Sequence, residues 1–120
     1  MATNIARQDI SNHVKGNTFR GIQYTLTDEN DAAIDLTNAA IRIQFRKNKK
    51  TGDLALTLTT NDHITLTDAS NGVFSIDNDF EIDIPAGLYY YDILFIFNST
   101  TYRTYVWGEF TVLQNVTEEY

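Results

Sequence analysis

Apolar and polar side chains alternate, position by position, over most of this chain. Ile22, Tyr24 and Leu26 are separated by Gln23 and Thr25; Ile41, Ile43 and Phe45 by Arg42 and Gln44; Leu54, Leu56 and Leu58 by Ala55 and Thr57; Ile64 and Leu66 by Thr65. A period of two is the signature of a strand with one buried and one wet face. Further strands are predicted at 73–76, at 88–97 and at 101–113, and a weaker one near 5–10. No stretch keeps the i, i+3, i+4, i+7 spacing that an amphipathic helix of three turns needs. Turn formers fall between the segments: Asp28-Glu29-Asn30-Asp31, Asn48-Lys49-Lys50-Thr51-Gly52, Asp68-Ala69-Ser70-Asn71-Gly72 and Pro85-Ala86-Gly87. About seven or eight short strands at this spacing predict an all-β, immunoglobulin-like sandwich of two antiparallel sheets. It would be a single domain over residues 1–120, with 1–13 as an N-terminal arm or edge strand and 114–120 as a tail.

The last hairpin can be laid out by counting. With Ser99 and Thr100 at its tip, Phe97 faces Tyr102, Phe95 faces Thr104, Ile93 faces Val106, Tyr91 faces Gly108 and Tyr89 faces Phe110. Paired residues share a face, so this row is the core, and Gly108 leaves room for the Tyr91 ring. The reverse face is expected to be polar, yet it carries Leu88, Tyr90, Leu94, Ile96, Tyr105 and Trp107, relieved only by Asp92, Arg103 and Glu109. Apolar patches of this kind mark contact surfaces. Tyr90, Leu94, Ile96, Tyr105 and Trp107 are therefore the candidate interface, with Trp and Tyr as its hot spots. The other account of the same face is that the N-terminal segment or a loop covers it. Ahead of this strand, Gly87 and Tyr89 have the spacing of a tyrosine corner, and Tyr91 falls where antibody domains place a cysteine.

Charge narrows the partners. Sixteen acidic residues against nine basic ones give a net charge of −7, the wrong sign for phosphate or anionic lipid. The longest unbroken apolar run, 93–97, is far short of a bilayer span. No nucleic-acid or membrane partner is therefore expected. Met1-Ala2-Thr3-Asn4 has neither the basic nor the apolar part of a signal peptide, so synthesis in the cytoplasm is expected. Cysteine is absent, which excludes disulfides and thiolate chemistry. His13 and His63 lack metal-site spacing, and no nucleophile elbow or phosphate-binding loop is present. The carboxylates at 28–31 and 77–83 lack EF-hand spacing and suit turns. No catalytic residue, metal or cofactor is expected. Asn98-Ser99-Thr100 and Asn115-Val116-Thr117 match the glycosylation pattern by chance in a chain this rich in Asn and Thr. The one basic run, Arg46-Lys47-Asn48-Lys49-Lys50, suggests docking: Lys47, Lys49 and Lys50 of one copy would meet Asp77, Asp79 and Asp83 of a neighbour, for orientation more than affinity.

Several segments also resemble a known family. Gly16-Asn17-Thr18, Asp35-Leu36-Thr37-Asn38-Ala39 leading into Ile41-Arg42-Ile43-Gln44-Phe45-Arg46-Lys47, Ile64-Thr65-Leu66-Thr67-Asp68-Ala69-Ser70-Asn71-Gly72, and Pro85-Ala86-Gly87-Leu88-Tyr89 are similar to the N-terminal immunoglobulin-like domain of tailed-phage baseplate upper proteins and to small phage structural proteins. The similarity runs over about residues 14–113. It implies a non-enzymatic virion component, made in the bacterial host cytoplasm and assembled as a homo-oligomer or on other virion proteins. Its place (baseplate, tail, neck or capsid surface) stays open. The alternative is a carbohydrate-binding module that uses the aromatic face to attach to host glycans. Leu94 and Ile96 between the rings favour a dry protein contact over a sugar site.

Overall fold

A computed structural model describes residues 6–28 and 30–114. The expectations for Met1–Asn4, Ile5, Glu29, the Asn115-Val116-Thr117 pattern and the tail from 115 onward lie outside the described residues. The chain is all-β. Among the described residues the strands are β1 (Ala6–Arg7), β2 (Ile10–Val14), β3 (Ile22–Thr25), β4 (Ala40–Lys47), β5 (Leu54–Thr60), β6 (His63–Asp68), β7 (Val73–Ile76), β8 (Gly87–Phe97) and β9 (Thr101–Leu113), with one short 3-10 turn at Ala69–Asn71. They form one ladder in the order β1-β9-β8-β4-β5-β6-β7-β3, with β2 also on β9.

The pairing is mixed, which corrects the expectation of antiparallel strands alone. β1 and β2 run parallel to β9, because the N-terminal segment reaches the last strand with nearly the whole chain as the crossover. β5 and β6 are joined by only two parallel pairs, Thr59↔His63 and Thr60↔Ile64. At that narrow junction the sheet curls. Phe74 of β7 meets Phe95 of β8 edge-on at 5.5 Å, and the Tyr24 and Tyr91 hydroxyls lie 3.2 Å apart. These residues are far apart in the ladder, so the core is the interior of the curl. Phe45, Phe74, Tyr89, Phe95 and Phe110 are its largest fully buried side chains.

The corner before β8 has the predicted form. Tyr89 is fully buried and its hydroxyl donates to the Pro85 carbonyl at 2.5 Å. The bend between them passes through Gly87, whose φ of 150° is open to glycine and strained for other residues. Gly108 pairs with Tyr91 as counted, and the Tyr91 hydroxyl donates to the Gln8 carbonyl.

The tip of the hairpin differs from the counted layout. Asn98 and Ser99 both take positive φ, 54° and 63°, and the turn holds three residues because Phe97 pairs with Thr101. A bulge between Ile93 and Leu94 absorbs the extra residue, Tyr105, and restores the expected register from Ile93↔Val106 to the base. A one-residue slip turns every side chain beyond it to the opposite face. Tyr102 and Thr104, expected in the core, therefore lie on the outer row beside Ile96 and Leu94. Tyr105, expected outside, packs on Phe95 at 5.5 Å and is 7% exposed. A second bulge, at Ala55, places Leu54 opposite Arg46 and out of the core, 49% exposed.

His13 on β2 is the one buried polar residue of the described core, set between Phe19 and Phe110 at 5.8 and 6.0 Å, with its Nε2 unpartnered. Desolvation holds it below the ordinary histidine range, partly opposed by the Asn17 and Ile82 backbone. The unfolded chain then binds more protons than the folded one below the unfolded pKa, so stability is full above about pH 6.5 and falls as the pH drops through that value. The unfolding free energy, measured from about pH 7.5 down to about pH 5, is expected to fall as the pH is lowered, by at most about 1.4 kcal/mol per pH unit from this group. His13→Leu is expected to flatten the slope; an equally steep slope in that variant would assign it to other groups.

Candidate functional site

The outer face of β9, β8 and β4 is built in cross-strand rows. Ile96 lies between Ala40 and Tyr102, Leu94 between Arg42 and Thr104, Asp92 between Gln44 and Trp107, and Tyr90 between Arg46 and Glu109. The rows divide the face into two parts. Toward the hairpin tip, half-buried Leu94 and Ile96 and the 56% exposed Tyr102 form an apolar strip, with the exposed Arg42 beside Leu94 at its edge. Toward the base, the side chains of Trp107, Tyr90, Asp92, Gln44, Arg46 and Lys50, with Thr104 at the upper edge, line an open cleft of about 530 Å³.

The cleft owes its shape to two neighbouring segments. The turn 48–53 is folded back by backbone bonds from Asn48 to Leu88 and from Gly52 to Lys49, and Arg46 clamps it by donating to the Gly52 carbonyl at 3.1 Å. Lys50 thereby reaches the Trp107 ring, its Nζ 4.0 Å from the centroid. From the other side comes β1. Gln8 donates its backbone N–H to Trp107, and the Asp9 carboxylate accepts the Glu109 N–H at 2.9 Å where the ladder is interrupted. Arg7 pairs with Asp9 and Glu109 and sets its guanidinium 5.0 Å from the indole centroid. The Arg7 hydrogen bond holds the Asp9 carboxyl below its usual range. Asp92 shifts the other way: desolvation raises it, with Arg46 opposing.

The five expected interface residues are thus divided. Leu94 and Ile96 lie on the apolar part, Tyr90 and Trp107 in the cleft, and Tyr105 in the core. Cover from within the chain, the other account of this face, is met at Trp107 by Arg7 and Lys50. Of the expected docking charges, Asp83 pairs with Lys15 at 2.7 Å, Asp77 accepts from Thr65 at 2.7 Å, and Asp79 is exposed. Lys47 is half-buried beside Gly87, while Lys49 is exposed. Gln44, Arg46, Tyr102 and Thr104 belong to the face and were not anticipated. Gln44 and Arg46 were visible as the polar alternates of β4, and only its pairing with β8 places them beside Asp92 and Tyr90.

The acidic turns bind their own backbone. Asp28 accepts from the Asn30 and Ala32 amides, and Asp35 from Thr37, which holds the Asp35 carboxyl below its usual range. Among the described residues no group of three or more His, Asp or Glu side chains could hold a metal ion.

No family model matches the chain, and no curated protein matches it. Among solved structures it is similar to CopC from Methylosinus trichosporium OB3b, at 11% identity and a TM-score of 0.46, over 91% of this chain and 90% of that one.

Proposed function

We propose that this chain is a non-enzymatic, immunoglobulin-like sandwich module of a tailed-phage virion, assembling with copies of itself or with other virion proteins through the outer face of β9, β8 and β4. The sandwich reading is supported by the Tyr89 corner bond and by the two halves of the ladder meeting through Phe74 and Phe95. The phage setting is supported by the resemblance of the segments from Gly16 to Tyr89. The observation that carries assembly is the apolar strip of the outer face: two half-buried aliphatic residues and a tyrosine 56% exposed stand together beside the bulge of β9. Burying such a surface is worth roughly 25 cal/mol per Å², before the cost of association.

Light scattering on the purified chain is expected to show a concentration-dependent oligomer. Leu94→Arg is expected to weaken association by about tenfold or more, with the denaturation midpoint nearly unchanged. A wild-type monomer at high concentration that also fails to bind other virion components would end this reading. The cleft favours a second one, a sugar-binding module, because it sets an indole and a phenol ring beside amide, hydroxyl and carboxylate groups.

A further inference from the structure

On the basis of the sugar-binding reading, we propose that the cleft at the base of the outer face takes a sugar bearing a carboxylate, with Arg46 and Lys50 holding the acid group and Trp107 carrying the C–H face of the ring. Its volume of about 530 Å³ falls inside the range of small-ligand pockets.

The charge distribution points to an anion. Of the nine basic residues, only two are in an ion pair with a carboxylate among the described residues. Arg7 pairs with Asp9 and Glu109, and Lys15 with Asp83. Arg46 and Lys50 are among the seven in none, and they are the two basic residues that line the cleft. Arg46 donates instead to neutral oxygens, the Gly52 carbonyl and, at 3.5 Å, the Gln44 amide. Two cations thus face one cleft in which Asp92, the carboxylate of its lining, is in an ion pair with neither, though the Arg46 charge acts on it. A guanidinium presents a planar fork that fits a carboxylate, and such charge-assisted bonds are stronger than neutral ones.

The ring surface is held in reserve. Lys50 is exposed, and its ammonium rests over Trp107 at 4.0 Å through a weak cation–π contact. An incoming carboxylate offers that ammonium a better partner and draws it off the indole, which frees for the sugar the ring surface that Lys50 covers, while Arg7 stays 5.0 Å from the centroid. Gln44, Asp92 and Thr104 then supply the acceptors and donors that hydroxyl groups need. Asp92 also sets an upper limit on ligand charge. A phosphate dianion would meet that carboxylate within a chain of net charge −7, whereas a single carboxylate is opposed far less.

Trp107 is the only tryptophan, so its fluorescence reports on the cleft alone. The full chain is titrated with glucuronate, glucose and AMP by fluorescence, with calorimetry as the check. Glucuronate is expected to bind at least about tenfold more tightly than glucose, the preference shrinking as salt is raised. Arg46→Gln and, separately, Lys50→Gln are expected to remove most of that preference of glucuronate over glucose. Lys50 is an exposed turn residue, so its variant keeps the test sound if Arg46→Gln disturbs the turn. Equal binding of glucuronate and glucose overturns this inference and leaves the sugar-binding reading intact. No binding of either sugar overturns both. Tighter binding of AMP than of glucuronate replaces the ligand class.

Discussion

Gly108→Ala is expected to strip the N-terminal strand from β9 and to cost about 3 kcal/mol or more of stability. A β-carbon at this position would stand 2.2 Å from the Gln8 carbonyl oxygen, 2.7 Å from the Gln8 carbonyl carbon and 2.9 Å from Cε1 of Tyr91. Neither neighbour can yield cheaply. The Tyr91 ring is buried, and its hydroxyl is tied to Gln8 and to the Tyr24 hydroxyl. Gln8 is backbone, bonded through its own N–H to Trp107 at 2.8 Å. The methyl group is therefore accommodated only by moving β1 and β2 away. That sacrifices the Gln8–Trp107, Tyr91–Gln8 and Asp9–Glu109 bonds, each worth about 1 kcal/mol, and leaves the Tyr91 hydroxyl without its carbonyl acceptor. Urea denaturation measures the total, and hydrogen exchange at residues 7–14 locates it. A variant with wild-type stability and protection would mean that Gln8 does not lie against Gly108 in solution.

Phe95→Ala is expected to be the most damaging of the core truncations, at about 3–5 kcal/mol, a large part of the 5–15 kcal/mol that a domain usually has. The ring is fully buried and touches both halves of the ladder: Phe74 edge-on at 5.5 Å across the core, Tyr105 at 5.5 Å and Phe97 at 6.5 Å on its own side. Its removal leaves a cavity where the two halves meet, and the bulged Tyr105 loses its packing partner. Tyr102→Ala, on the same hairpin but 56% exposed, is expected to change stability by less than about 0.5 kcal/mol. Similar losses for the two variants would place Phe95 outside the core.

The same hairpin shows how far the pattern of residues reaches. β7 and β9 begin and end where alternation and turn residues put them, and the rows from Ile93↔Val106 to Tyr89↔Phe110 match the counted ones because the bulge at Tyr105 offsets the longer tip. The Tyr89 corner and the Tyr91–Gly108 contact were legible for the same reason: each depends on residues close in the chain or directly opposed in one hairpin. Tyr105 was not legible. Tyr102, Arg103, Thr104 and Tyr105 suit a strand equally well in either phase, and a bulge costs one ladder position without demanding a special residue. The one available sign was the adjacent apolar run Tyr105-Val106-Trp107, which breaks the alternation at the bulge. Ala55 hid the second bulge in the same way, since alanine is neutral to burial.

Alternation, turn chemistry and charge alone determined that this chain is a β protein, where most of its strands lie, which face of β8 and of the base of β9 is core, and that it is acidic and without thiols. These are local properties, written at intervals of one or two residues. Tertiary structure alone decided that the N-terminal strand runs parallel to β9, that the ladder curls through a two-pair junction, and that Tyr105 turns inward. It also decided that Arg46 and Lys50 share a cleft with Trp107. Each of these joins segments distant in the chain, and the contacts that select among such pairings are made only once the core has closed.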